Sequence, residues 1–426
     1  MLIQFTVGNF KSFKDKATVS LEATHDDWRE DDNVAHAGDQ RLVKAAAIYG
    51  ANASGKSNFL TAMMQFRELV QESSKESQKG EPIQVTPFRL HSATENAPSF
   101  FEAIFLQKEI RYRYGFEATK QAIVSEWLFK QADSIRETRL FSREKDQIEA
   151  SDSFKEGRGL ETRTRSNALF LSVAAQFNGQ IAGEVMQWMS QFRNISGLDD
   201  AGYMNFTATL LNDAEYGPLI RELVKQADIG IENLERQEIA RDKLPDLIPK
   251  DVPPAVREIV LRTTAKVFAV KTVHQHFDAD GEPAGTVEFD LKGEESAGTQ
   301  KFVALTGPFL HTLREGSVLF VDELEARLHP KLTKALVALF NSSANRKNAQ
   351  LIFATHDEGL LEPQRIRRDQ VWFAEKDGIG ASRLFCLAEI KGVRKGANFA
   401  KEYLLGQFGG VPRVGDLQGV LGHAGK

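Results

Sequence analysis

Apolar and polar positions define the first elements of the chain. Leu2, Phe5, Val7, Phe10 and Phe13, then Ala17, Val19 and Leu21, alternate closely enough to predict two short strands. An acidic, strand-poor loop follows from Asp26 to Asp32. Ala45-Ala46-Ala47-Ile48-Tyr49 then runs straight into a glycine-bounded turn, and beyond it Phe59, Met63, Phe66 and Val70 recur at helical spacing. The polar stretch from Gln71 to Glu81 predicts a loop. From Phe88 to about Phe141 the runs FFEAIFLQ, IRYRYGFEA and AIVSEWLFK succeed one another without a helix between them, which predicts an antiparallel sheet rather than βαβ units. The segment from about Gln180 to Val260 reads mainly as helix, as in IAGEVMQWMSQF and YGPLIRELVKQADIGIENLE, and is broken by the proline-bearing KLPDLIPKDVPP. No heptad persists there for three or four repeats, which excludes a long coiled coil. The last third returns to α/β order: strand VLFVDE, helix KLTKALVALF, strand QLIFATH, and strands near VWFAE and RLFCL. These changes of pattern predict segments 1–179, 180–265 and 266–426.

Composition narrows the class. The chain has 426 residues, 42% hydrophobic and 27% charged, which is the balance of a soluble protein of more than one lobe. No apolar run reaches the roughly 18–20 residues of a membrane span, and MLIQFTVGNFKSF lacks the pattern of a signal peptide. A single cysteine, Cys386, excludes an internal disulfide and a cysteine-rich zinc site, and fits a reducing, cytoplasmic setting. The net charge of −5 excludes a globally basic nucleic-acid coat, though not a local basic patch.

The chemistry begins at Gly50-Ala51-Asn52-Ala53-Ser54-Gly55-Lys56-Ser57, which fits G-x-x-x-x-G-K-[ST] at every fixed position. Glycines let consecutive N–H groups curl toward phosphate oxygens, and the helix that follows adds its positive end. Lys56 is placed to reach the β- and γ-phosphates of ATP, and the Ser57 hydroxyl to bind Mg²⁺. Both required flanks are present, an apolar strand before and an amphipathic helix after.

A second strand, Ser317-Val318-Leu319-Phe320-Val321, ends in Asp322-Glu323. Asp322 is placed to hold the metal, directly or through water, and Glu323 to polarise an attacking water as catalytic base. About 30 residues on, Leu351-Ile352-Phe353-Ala354 ends in Thr355-His356-Asp357, where His356 is a candidate hydrogen-bond partner of the γ-phosphate. Upstream, Glu295-Ser296-Ala297-Gly298-Thr299 opens a helix; by itself this is a helix cap.

In this order the elements resemble the ABC-type ATPase head in its SMC/RecF-like branch. More closely, the chain resembles the AAA-labelled ATP-binding proteins of the RloA/AbiLi type found in bacterial phage-defence, abortive-infection operons. The closer likeness is carried by Asn9-Phe10-Lys11-Ser12-Phe13, the phosphate loop, Pro87-Phe88-Arg89-Leu90, Ser125-Glu126-Trp127-Leu128, Asn167-Ala168-Leu169-Phe170-Leu171-Ser172, ESAGT, LFVDELEARLHP, ATHD and RRDQVWFAEKD. It spans nearly the whole chain apart from the stretch near 180–260.

The resemblance implies an α/β fold: a P-loop ABC-type head with a mixed sheet, flanking helices and an antiparallel β subdomain, plus a mainly helical insertion lobe. It implies that Ser296 and Gly298 form the signature motif and that heads dimerise head to tail, so that Ser296 of one subunit caps the γ-phosphate held by Lys56 of the other. Gln176 becomes the candidate glutamine-loop ligand of the metal, and Lys11 and Ser12 lie near the nucleotide. Arg327 stands where the segment after Walker B often carries a serine, which puts a hydroxyl-mediated contact across the dimer in doubt. The implied activity is a Mg²⁺-dependent ATPase acting as sensor and regulator of a separately encoded toxic effector. The alternatives are a RecF/SMC-like DNA-repair clamp and a non-hydrolysing scaffold.

Other signals are weaker. His274-x-His276 puts two imidazoles on one strand face, short of the three or four ligands zinc needs. Basic clusters at Arg158–Arg165, Arg365–Arg368 and Lys391–Lys395 read as solvated faces, with DNA backbone as the functional option. Barely 70 residues follow His356, which is short for the nuclease domain appended in OLD-type relatives.

Overall fold

The apolar run ahead of the phosphate loop becomes a strand whose six residues are all buried. The computed structural model describes residues 1–76, 78–132, 136–198, 201–240, 242, 245, 257, 266–394, 396–412 and 415. The proline-bearing stretch at 243–254 therefore lies almost wholly outside the described residues.

The strands are β1 Leu2–Gly8, β2 Ala17–Ser20, β3 Val34–Ala37, β4 Gln40–Val43, β5 Ala45–Gly50, β6 Ser99–Gln107, β7 Ile110–Ala118, β8 Ile123–Gln131, β9 Thr138–Glu144, β10 Gln147–Ala150, β11 Phe192–Ser196, β12 Asn233–Glu238, β13 Phe268–Phe277, β14 Pro283–Asp290, β15 Val318–Asp322, β16 Gln350–Ala354, β17 Val371–Lys376 and β18 Ser382–Cys386. The longer helices are α1 Lys56–Glu72, α2 Phe170–Gln176, α3 Gln180–Ser190, α4 Ala201–Leu210, α5 Tyr216–Gln226, α6 Ala297–Glu315, α7 Pro330–Phe340 and α8 Phe399–Leu404. Contacts divide the chain into one unit of residues 1–194, 315–324 and 337–426 and another of 195–314 and 325–336.

The first unit holds two large sheets. One has the order β11-β15-β16-β5-β17-β18. Its β15, β16, β5 and β17 run parallel, with Val321 opposite Phe353, Ala354 opposite Ile48 and Trp372 opposite Ile48. Strands buried on both faces need continuous apolar sequence, and β16 is buried throughout. The other sheet is antiparallel throughout, in the order β10-β9-β8-β7-β6-β1-β2, and contains the three strand-like runs of 99–131 as neighbours. Phe59, Met63, Phe66 and Val70 of α1 are fully buried in the core these sheets share. Phe66 stacks on Phe116 at 5.6 Å and meets Phe5 edge-on at 5.5 Å.

Within this unit a buried carboxylate ties the antiparallel sheet to the chain that returns from it. Glu126 on β8 accepts the Phe170 and Leu171 N–H groups at 2.7 and 3.0 Å, and the Tyr114 hydroxyl at 2.9 Å. Arg143 on β9 donates to the Ala168 carbonyl at 2.7 Å. The first turn of α2 would otherwise bury unpaired donors, so Glu126 serves as its cap.

The second unit carries the sheet β12-β13-β14 with α4, α5 and most of α6. Pro308 lies inside α6 and has no N–H for the carbonyl four residues back, which is Ala304. The Thr207 hydroxyl supplies the missing donor, at 2.6 Å from that oxygen. The helical reading of 180–260 thus holds for α3, α4 and α5, while β11 and β12 interrupt it. Only one residue of Asn233–Glu238 is apolar, and its strand state comes from pairing with β13 over thirty residues away. Among the described residues no helix is long and apolar enough to cross a membrane.

Candidate nucleotide-binding site

The loop after β5 turns through Ala53, a non-glycine residue at φ 61°, and ends at Gly55 with φ 115°. A side chain at Gly55 would be strained, and its Cβ would lie 2.4 Å from Ser382 Oγ. Helix α1 then begins at Lys56 and points its first N–H groups into the loop. Lys56 is only 6% exposed, and its Nζ donates to the Gly50 and Ala51 carbonyls at 2.8 and 3.2 Å. Its charge is therefore held over the mouth of the loop. Asn52 and Ala53 are exposed at the rim, Ser54 is buried, and Ser57 is exposed on the first turn of the helix.

Ser12 belongs to this site. Its hydroxyl accepts from Asn58 Nδ2 at 2.8 Å, and its carbonyl accepts the Ser382 N–H at 2.7 Å. Lys11, beside it, is held at φ 47° by its N–H bond to the Thr86 carbonyl. Ser382 is a residue sequence reasoning missed. Its hydroxyl donates to the Ser54 carbonyl at 2.6 Å, so β18 buttresses the loop from more than three hundred positions away. A lone serine in a short strand gives no sequence signal.

Parallel pairing brings the acidic strand to the same edge. With Val321 opposite Phe353 and Ala354 opposite Ile48, β5, β16 and β15 all end together. Strands are spaced about 4.8 Å apart, which puts Asp322 about 10 Å from the end of β5 with β16 between them. Asp322 Oδ1 is buried and makes no hydrogen bond. A buried carboxylate oxygen with no donor is costly, and a cation is the natural remedy. With the Ser57 hydroxyl, the donor set suits a hard divalent ion such as Mg²⁺.

Glu323, next in sequence, adopts φ 52°. Such a left-handed conformation costs an ordinary residue about 1–2 kcal/mol, and strain of this kind gathers at working sites. Just past β16, Thr355 donates its N–H to the Ile48 carbonyl at 3.1 Å, and Asp357 donates its N–H to Thr355 Oγ1 at 3.0 Å. The Tyr49 hydroxyl donates to the Asp357 carbonyl at 3.1 Å. These bonds fix the exposed His356 between anchored neighbours at the edge shared with β5.

A cleft of about 450 Å³ opens beside the loop, lined by Ala51–Ser54, Ala374–Gly378 and Gly410–Pro412. Glu375 accepts the Gly410 N–H at 2.6 Å, and Tyr403 packs edge-on against Tyr49 at 5.5 Å. Burial pushes the Tyr403 hydroxyl up to about 12, so it stays a neutral donor to the Gly410 carbonyl.

Gln176 is not brought to this site. The Leu169 N–H donates to Ser73 Oγ at 3.2 Å, and the Ser74 and Ser172 hydroxyls bond at 2.7 Å. These contacts dock α2 at the C-terminal end of α1. Ser73 lies about 24 Å along that helix from Ser57, and Gln176, one turn beyond Ser172, stays about 15 Å or more from it. Gln176 therefore stands apart from Ser57 rather than beside it as a ligand of the metal.

In the second unit, Ser296 Oγ accepts the Thr299 N–H at 3.1 Å and caps α6. Gly298 is required by close approach, because a Cβ there would lie 2.8 Å from the Arg327 carbonyl oxygen. Arg327 adopts φ 63° and donates to the Leu198 carbonyl at 3.4 Å. The Arg365–Arg368 cluster is consumed by ion pairs: Arg365 with Glu362 at 2.8 Å, buried Arg367 with Asp369 at 2.7 Å, and Arg368 with Asp26 at 3.1 Å. Lys395 of the Lys391–Lys395 cluster lies outside the described residues. No three His, Cys, Asp or Glu side chains gather as a metal cluster among the described residues.

A lysine held in a strand–loop–helix cradle, with an acidic strand end on the same sheet edge, is the defining construction of P-loop nucleotide-binding proteins, and this chain is one. It belongs to the family described as "AAA domain, putative AbiEii toxin, Type IV TA system", which matches residues 45–362. No curated protein matches the chain. Among solved structures it is similar to the SMC head domain from Thermotoga maritima, with 12% identity, a TM-score of 0.41, and coverage of 90% of this chain and 98% of that one. It is also similar to the Smc head domain with an extended coiled coil bound to the C-terminal domain of ScpA, from Pyrococcus furiosus, with 13% identity, a TM-score of 0.37, and coverage of 90% and 96%. The recombination mediator protein RecF is a further similar structure, with 12% identity, a TM-score of 0.30, and coverage of 90% and 98%.

Proposed function

We propose that the chain is a cytoplasmic, Mg²⁺-dependent ATPase whose heads dimerise around ATP, and that it senses infection and controls a separately encoded toxic effector. The observation that carries the ATPase reading is the common edge of β5, β16 and β15, where Lys56, the Thr355–Asp357 turn and Asp322-Glu323 all emerge. Lys56 and the loop N–H groups bind the phosphates, with Lys11 and Ser12 beside them. Ser57 and Asp322 hold the metal, which neutralises phosphate charge when bound. Glu323 takes a proton from the attacking water, and His356 donates to the γ-phosphate. Ser296 and Gly298 of a second copy close the site. The defence role rests on the toxin–antitoxin description of the family and on the resemblance of the sequence motifs.

The pairing of Arg365, Arg367 and Arg368 with carboxylates counts against DNA binding through that cluster, because paired guanidiniums have little charge left for a phosphate backbone. The test is Glu323→Gln, whose amide keeps the shape of the side chain but cannot act as a base. We expect this variant to bind ATP, to hydrolyse it at a rate lower by about a hundredfold or more, and to sediment as a dimer only with ATP and Mg²⁺. Hydrolysis at the unaltered rate would remove Glu323 from the chemistry and make Glu325 the next candidate. Tight, salt-dependent binding of duplex DNA would favour the clamp.

A further inference from the structure

The turn that carries Ser296 is lashed to β13 by a largely buried carboxylate that the ATPase chemistry does not use. Thr272 and His274 lie two apart on β13, so both face the same side of the strand. The Thr272 hydroxyl donates to Glu295 Oε1 at 2.6 Å, and His274 Nε2 lies 2.6 Å from the same oxygen. His274 Nε2 also lies 3.1 Å from Thr272 Oγ1, which closes a three-membered cluster. Thr272 is fully buried, and the His274 and Glu295 side chains are 18% and 10% exposed. On its other side the imidazole packs on Phe289 of β14, with ring centres 4.7 Å apart.

Glu295 immediately precedes Ser296, and its carbonyl accepts from Gln300 Nε2 at 2.8 Å. A second tether runs from Lys271 to Asp290 at 3.2 Å, at the start of the same turn. A carboxylate is expensive to bury, and a cap for α6 needs only the Ser296 hydroxyl, so helix capping does not account for the cluster.

We propose that Thr272, His274 and Glu295 form a positioning device that presets Ser296 to meet a γ-phosphate in a second copy of the chain. This rests on the head-to-tail dimer of the preceding section. A group that must reach into another subunit receives no alignment from that subunit until contact is made. Its own backbone has to be fixed beforehand, since a displacement of about 1 Å costs about a hundredfold in such sites. Two donors from a paired strand converging on one oxygen supply that rigidity. The same linkage transmits any shift of the β12-β13-β14 sheet to Ser296.

The experiment uses the full chain carrying Glu323→Gln, with His274→Ala, His274→Gln, Thr272→Val or no further change. Sedimentation with ATP and Mg²⁺ gives the dimer dissociation constant, and a fluorescent ATP analogue on the dilute chain gives nucleotide affinity. We expect His274→Ala to weaken the dimer about tenfold or more and to leave the nucleotide affinity of the dilute chain unchanged. His274→Gln, which keeps a donor, should recover most of the loss. In a Ser296→Ala background, His274→Ala should add nothing, because the device then has no group to position. If His274→Ala fails to unfold cooperatively, Thr272→Val, which keeps shape and loses the donor, carries the comparison. An unchanged dimer constant, or an equal further loss on top of Ser296→Ala, overturns the proposal. Absence of an ATP-dependent dimer in Glu323→Gln itself would remove the head-to-tail reading, and the proposal with it.

Discussion

Lys56 spends its charge on two loop carbonyls, at 2.8 and 3.2 Å, in the position where phosphate oxygens are to be received. An anionic phosphate oxygen is a stronger acceptor than either of these neutral carbonyls, so ATP can draw the ammonium away from them. Removing the ammonium leaves the loop N–H groups as the remaining donors. Hydrogen bonds to charged groups contribute about 1.5–3 kcal/mol, so Lys56→Ala should lower ATP affinity by about ten- to a hundredfold or more. Calorimetry on the purified chain checks this, and unchanged affinity would sink the phosphate-loop assignment. At this scale the sequence was informative where eight contiguous residues had to supply the chemistry by themselves. It was uninformative about Ser382 and Asn58, which reach Ser54 and Ser12 only through the fold. Gln176 shows the complementary failure: chain order puts a glutamine after the antiparallel sheet, but only packing reveals that α2 docks at the wrong end of α1.

Among elements, the strands that carry site residues were the most legible, because parallel strands buried on both faces need unbroken apolar runs. The motifs quoted for the family resemblance were harder to interpret, and several of them are structural. Asn9 ties the Phe88 turn to the N-terminal hairpin, accepting the Phe88 N–H at 3.0 Å and donating to the Ala97 carbonyl at 2.8 Å. Glu126 of the SEWL run caps α2 in the NALFLS run, a pairing across more than forty positions. Burial raises the Glu126 carboxyl above its ordinary value near 4.5, against the opposing pull of Arg143 and the three donors. A raised folded-state pKa means that the stability tied to its proton is complete below the unfolded value. That stability is lost as pH rises through the folded value. Glu126→Gln should remove this pH-dependent component. It should also cost about 1–3 kcal/mol, because one of the Phe170 and Leu171 N–H groups then faces an amide nitrogen. Urea midpoints across a pH series, compared with the unaltered chain, check both statements. Equal midpoints at every pH would show that α2 is capped by other means.

At the scale of the whole molecule, Lys56, Asp322 and Glu323 lie in the first unit, and Ser296 and Gly298 in the second. A head-to-tail dimer predicts that each site takes its phosphate loop from one copy and its Ser296 turn from the other. Ser296→Arg should then bind ATP normally and fail to hydrolyse it, since its bulk and charge block closure and leave the Lys56 loop unaltered. Lys56→Ala should fail for the opposite reason. Mixing the two should restore hydrolysis, because a heterodimer holds one site with an intact Lys56 and an intact Ser296. Random pairing makes about half of the dimers mixed, each with one working site, so recovery approaches about a quarter of the unaltered rate. That ceiling assumes that one site suffices and that the doubly altered site still closes. Steady-state hydrolysis across a range of mixing ratios, peaking near equal amounts, is the signature of shared sites. Robust hydrolysis by Ser296→Arg alone, at concentrations too dilute for association, would show that catalysis is completed within one copy. Ser296 would then be only the helix cap that its bond to the Thr299 N–H makes it in the single chain.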